Sequence, residues 1–162
     1  MEAPPEETPD ETVIVWFRRD LRLHDNPALS AACNGRHKVL PVYIWAPEEE
    51  GQFQLGRCNR WWLKQSLKKF EDSLAKKLGL NLVFLRGPAS LPALAALAKA
   101  SNATKVYFNY LFDPVSLVRD NTVKAGKSEM LQHIHIWVCV RVCVCVCLSL
   151  SVSSPKVFRA RY

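Results

Sequence analysis

Short apolar, β-branched runs alternate along this chain with longer stretches in which apolar residues recur every three or four positions. Thr12 to Phe17 (TVIVWF) has the character of a strand buried on both faces. Asn26 and Pro27 then supply a cap and a first-turn proline for a short helix, PALSAAC, that stops near Asn34-Gly35. Lys38 to Trp45 (KVLPVYIW) reads as a second strand, although Pro41 lacks a ladder donor. Residues 46–56 read as a long polar loop. Leu63, Leu67, Phe70, Leu74 and Leu78 follow at spacings of 4, 3, 4 and 4, which is one face of a helix that Gly79 ends. Asn81 to Leu85 is a third strand, Ser90 a cap for a helix carrying Leu91, Leu94 and Leu97, and Lys105 to Tyr110 a fourth strand. Asp113-Pro114 repeats the cap-and-proline start and opens a helix to about Lys124.

Strands alternating with helices predict an α/β fold, a doubly wound Rossmann-like parallel sheet with helices on both faces. Ligands of such sheets bind beyond the carboxyl ends of the strands. Here those ends are Arg18–Asp25, Trp45–Gly51, Arg86–Ala89 and Asn109–Asp113.

Composition adds three points. With 162 residues, 49% of them hydrophobic, the chain can bury one α/β core and not two large ones. The net charge of +7 is unevenly spread: residues 1–12 hold five acids and no base, whereas 13–129 hold 18 Lys and Arg against 10 Asp and Glu. The acidic, proline-rich start (residues 1–11) reads as a disordered arm and is unlike a secretory leader. The basic body leaves DNA contact open without requiring it. Only Cys33 and Cys58 lie in the body, too few for a disulfide framework, which fits a reducing compartment.

The segment VIVWFRRDLRLHDNPAL (13–29) resembles the opening of the photolyase/cryptochrome family. PVYIWAPEEEGQF (41–53), GRCNRWWLKQSL (56–67) and NYLFDPVSLVRDNTVK (109–124) look like its plant cryptochrome branch. The resemblance covers residues 12–125 and implies the N-terminal α/β domain of a blue-light receptor. It further implies FAD held by a second, all-helical domain and not by this chain, a pterin antenna (methenyltetrahydrofolate), and residence in nucleus and cytoplasm. Partners would be the full-length cryptochrome or its signalling proteins, with no membrane. No enzyme activity is expected of this chain, because photolyase chemistry would need the FAD domain. A photolyase fragment is the enzymatic alternative. A stand-alone nucleotide-binding module is another, and it lacks a glycine-rich phosphate loop after the first strand.

Two groups of residues carry candidate chemistry. Arg18, Arg19, Asp20, Arg22 and Asp25 crowd the end of the first strand, either as an electrostatic platform for a second domain or phosphate, or as ion pairs and caps that fix the turn. The second reading is the expected one. In the family the loops after the second and fourth strands border the antenna cleft. Trp45, Pro47, Glu48, Asn109, Tyr110, Phe112 and Asp113 occupy those loops here. Together they offer aromatic rings, an amide and carboxylates for a flat polar heterocycle. Equally, Trp45 and Phe112 could pack the domain, with Asp113 capping its helix. Trp61 and Trp62 read as packing residues and not as an electron relay.

After Lys124 the resemblance stops. Gly126-Lys127-Ser128 lacks the upstream glycine of a phosphate loop, and His133, His135 and the alternating tail cysteines lack the spacing of a zinc site. Alternating Val-Cys and Leu-Ser is what dinucleotide repeats encode, so residues 126–162 read as a translated retained intron. That tail is β-prone and nearly uncharged. Ile134 to Val140 is expected to form a short strand at the vacant fifth position, and the last ten residues to be disordered.

Overall fold

The computed structural model describes residues 11–35, 37–125 and 135–139. Five strands and four α-helices alternate: β1 (Thr12–Phe17), α1 (Pro27–Cys33), β2 (Lys38–Trp45), α2 (Arg57–Leu78), β3 (Val83–Arg86), α3 (Ser90–Ser101), β4 (Ala103–Asn109), α4 (Pro114–Ala125) and β5 (His135–Cys139). All strand pairs are parallel, in the order β3-β2-β1-β4-β5. The expected doubly wound α/β sheet is therefore present. Its order reverses between β1 and β4, and such sheets hold ligands beyond the carboxyl ends of their strands.

Side-chain alternation divides the core in two. Val13, Val15 and Phe17 of β1 face α1 and α2, meeting Leu29, Leu67, Phe70 and Leu74. Ile14 and Trp16 face α3 and α4, meeting Leu94, Ala98, Val106, Phe108 and Val123. A strand covered on both faces must be apolar throughout, which is why β1 shows no polar alternation. Pro41 is tolerated in β2 because the ladder to β3 starts only at the next residue, Val42 opposite Val83.

Several boundaries differ from the sequence expectations, each for a local reason. Residues 46–56 are not a plain loop: Pro47–Phe53 forms 3-10 turns, interrupted at Gly51 where φ is 51°. β3 begins at Val83, two residues later than expected. Ser90 is the first residue of α3 and not its cap. Its N–H and hydroxyl donate instead to Glu49, whose carboxylate takes the capping role at 2.6 Å from each. Gly79 does end α2, in the left-handed conformation with φ of 66°. Glu11, assigned to the acidic arm, belongs to the folded body. Its carbonyl accepts from Lys38 N at 3.0 Å, and its carboxylate binds the Thr104 hydroxyl and, at 3.0 Å, Lys105 Nζ. The rest of the arm and most of the tail, with their disorder and intron readings, lie outside the described residues. Within the tail, β5 pairs with β4 from Lys105↔His135 to Asn109↔Cys139, the position expected for a fifth strand.

Candidate functional site at the carboxyl ends of the strands

The site grows from the first residue after β1. Arg18 is buried, with its guanidinium between two aromatic rings, 4.7 Å from the centroids of both Trp16 and Phe108. It forms a salt bridge with the fully buried Asp120 of α4, donates a second bond to Asp120 Oδ2 at 3.3 Å, and donates to the Asn109 carbonyl. Burial draws the Arg18 pKa down and pushes Asp120 up. Desolvation thus outweighs the mutual attraction, as is usual for buried pairs. This bridge ties the switch point of the sheet to α4.

The rest of the first-strand cluster is also paired. Arg22 Nε lies 2.8 Å from Asp20 Oδ1, with Asp25 at 3.6 Å, and Asp25 itself takes a left-handed φ of 51°. Asn109 is the bracket of this turn. Its Nδ2 donates to Asp20 and to Asn26, each at 3.0 Å, and its Oδ1 accepts from Ala28 N at 3.0 Å. Asn26 also caps α1 through Leu29 N at 3.1 Å. Arg19 is the exception: it is 59% exposed and reaches Glu50 at 3.4 Å and Asp113 at 3.8 Å.

Beside this turn lies a cleft of about 330 Å³, walled by Arg18, Arg19, Tyr43, Trp45, Pro47 and Glu50, with Leu55, Leu63, Ser90 and Arg119 among the remaining lining residues. Arg119 of α4 organises its acidic side, holding Glu49 at 2.8 Å and Glu50 at 2.6 Å. Burial, helped by the charge of Glu50, pushes the Tyr43 phenol up to about 12, so it stays neutral and can donate.

The structure brings together some of the residues singled out from sequence and separates others. Trp45 and Pro47 stand in the cleft wall with Arg19. Asn109, Tyr110, Phe112 and Asp113 do not line it. Asn109 is spent on the β1–α1 turn. Asp113 caps α4 through Ser116 N at 3.0 Å. Tyr110 and Phe112 stack edge-to-face at 4.8 Å, and Phe112 is 68% exposed. Glu48 points to solvent, and its neighbours Glu49 and Glu50 do the binding. Trp61 and Trp62 contact each other at 5.0 Å and are exposed on α2, so they do not pack the core.

Arg119, Asp120 and Glu49 were not among the sequence candidates. One signal pointed to Asp120: with Ser116 and Val123 it lies on a stripe at spacings of 4 and 3, and a carboxylate on a buried stripe demands a buried partner. Among the described residues, no group of His, Cys, Asp or Glu is placed to hold a metal ion, and Cys33 and Cys58 are free.

Residues 13–159 match the family model described as DNA photolyase, a match that continues past Lys124, where the resemblance read from sequence stops. Over 115 residues the chain is 55% identical to Cryptochrome-1 of Sinapis alba, covering 71% of this chain and 23% of that protein. It is 41% identical over 112 residues to the deoxyribodipyrimidine photo-lyase of Agrobacterium fabrum, covering 69% of this chain and 22% of the relative. The fold superimposes on the crystal structure of a bacterial class III photolyase from Agrobacterium tumefaciens with a TM-score of 0.69 and 30% identity, over 86% of this chain and 27% of that one. The chain thus spans about a quarter of the length of these relatives.

Proposed function

The chain belongs to the DNA photolyase family, and from that premise we propose that it is the antenna-side α/β portion of a cryptochrome-type blue-light receptor. The observation that carries this reading is the identity gap: 55% with a plant cryptochrome over 115 residues against 41% with a photolyase over 112. FAD chemistry is assigned to no residue of this chain. Flavin-driven signalling or dimer repair would be the work of a helical domain outside it, and any action of this chain would run through full-length receptor copies or signalling proteins in nucleus and cytoplasm.

The cleft beyond the carboxyl ends of β1 and β2 suits a pterin ring. Its volume of about 330 Å³ is at the small end for ligand sites, enough for a flat heterocycle. Trp45 and Pro47 supply apolar walls, Glu50 a carboxylate for ring N–H groups, and the exposed Arg19 a cation for an anionic tail. When bound, such a group supplies light absorption. The protein's part is to hold and orient it and to exclude water.

Purifying the 162-residue chain and recording its absorption spectrum tests this. Added methenyltetrahydrofolate should be retained in stoichiometric amount and flavin should not. Stoichiometric flavin would overturn the assignment of FAD to a separate domain, and light-dependent repair of pyrimidine dimers by the chain would favour the photolyase reading.

A further inference from the structure

The outer side of α2 carries a second surface, which adjoins the pigment cleft and shares Tyr43, Trp45 and Leu63 with its wall. A groove of about 500 Å³ runs between α2 and strands β2 and β3, with a floor of Tyr43, Trp45, Leu63, Leu67 and Phe84. Four cations stand on its rim: Arg60, Lys64 and Lys68 from α2 and Arg86 from the end of β3. The helical three recur every four residues, so they share one face. All four are exposed, and among the described residues none forms an ion pair. Glu71 is the one carboxylate in the lining. Trp61 and Trp62, next to Arg60 and Leu63 in the chain, are 55% and 64% exposed, and Phe84 is 47% exposed. Exposed aromatics beside Arg60 and Arg86 have the composition of an interface, with Lys64 and Lys68 in the polar rim.

We propose that this groove docks an acidic, extended segment of a partner protein with apolar residues at alternate positions. Charge complementarity selects the acidic partner: four unpaired cations against one carboxylate. The sheet topology selects the extended form. Among the described residues β3 is the terminal strand of the order β3-β2-β1-β4-β5, so its outer backbone edge can pair with an added strand. Alternate side chains of that strand would enter the groove while the others present carboxylates to Arg60, Lys64, Lys68 and Arg86. The apolar floor between helix and sheet favours a peptide over a nucleic acid, which would need cations tracking its phosphates along an open path. Rim charges act mainly on encounter and salt dependence, and the apolar anchors on lifetime.

The test is fluorescence anisotropy of a labelled ten-residue peptide alternating glutamate with leucine and phenylalanine, titrated with the full chain. Saturable binding is expected, weakening as salt rises. The double variant Lys64→Glu with Lys68→Glu should weaken it about tenfold or more. Phe84→Ser should weaken it without changing the salt dependence. Neither Lys64, Lys68 nor Phe84 lines the pigment cleft, so pterin retention should be the same in all three proteins, separating failure of this proposal from failure of the functional reading. Circular dichroism checks that each variant folds, and Lys64→Gln with Lys68→Gln serves if the charge reversal does not. The proposal is overturned by absence of saturation, by equal binding of a peptide with lysine in place of glutamate, or by folded variants that bind as before. It is also overturned if single-stranded oligonucleotide displaces the peptide with higher affinity, or if sedimentation shows the same residues closing a dimer of this chain.

Discussion

Arg18 and Arg19 are neighbours with the same charge, yet the end of β1 sends them to opposite environments. Arg18 turns inward between Trp16 and Phe108 and is neutralised by Asp120. Arg19 turns outward, loosely held by Glu50 and Asp113, at the mouth of the cleft. The difference separates a charge used to build the switch point from a charge left available to a ligand. Arg18 continues the face of Ile14 and Trp16 just past the end of β1, whereas Arg19 follows the chain as it turns out of the sheet.

The largest effect expected from this comparison is on stability. Asp120→Ala would leave the Arg18 guanidinium buried without a counter-charge, and should cost about 3–5 kcal/mol in urea denaturation. Replacing both partners, as Arg18→Met with Asp120→Leu, should restore most of that loss, since a packed apolar pair has no desolvation penalty. A double variant as unstable as the single one would mean that the bridge does more than neutralise its own charges.

Asn109 offers an intermediate case. Asn109→Ala removes the acceptor for Ala28 N and the donor to Asp20 and Asn26, and should destabilise by about 1–3 kcal/mol in the same assay. Arg19→Ala should change stability by no more than about 0.5 kcal/mol, the usual range for an exposed charge. A large loss there would erase the distinction between the two arginines.

The smallest effect is on pH dependence. Burial tends to raise both Glu11 and Asp113, but hydrogen bonds and nearby cations outweigh it and hold both below their ordinary values of 4.5 and 3.8. Depressed carboxylates add stability that is full above those ordinary values and lost as pH falls through the lowered ones. Urea midpoints should therefore drop on the acid side of about pH 4. Glu11→Gln and Asp113→Asn should each make that drop shallower, with the Asn variant keeping its capping bond to Ser116. An unchanged acid limb in both variants would contradict the assigned partners.

Much of the fold was legible because it rests on local signals. The β-branched runs gave β1 and β2 to the residue, Asn26-Pro27 placed the start of α1, and Gly79 the end of α2. The fifth strand could be placed because a parallel sheet left a vacant edge beside β4. What was missed depends on distant partners. Ser90 has the sequence of a cap, but Glu49, from 41 positions away, satisfies the helix end instead. Asn109 looked like a ligand group until the fold placed it against Asn26 and Ala28. Loop membership alone grouped Phe112 with Trp45, whereas Phe112 stacks on Tyr110 outside the cleft lining, and Asp113 comes near the cleft only through Arg19.

The separation of Phe112 from Trp45 can be used to test whether the cleft beyond β1 and β2 is the pigment site of this α/β unit. Calorimetric titration of methenyltetrahydrofolate into the wild-type chain, Trp45→Ala and Phe112→Ala would decide it. Pigment held in this cleft should bind saturably and one-to-one, about tenfold or more weaker in Trp45→Ala and unchanged in Phe112→Ala. Binding lost with Phe112 and kept without Trp45 would place the pigment outside this cleft.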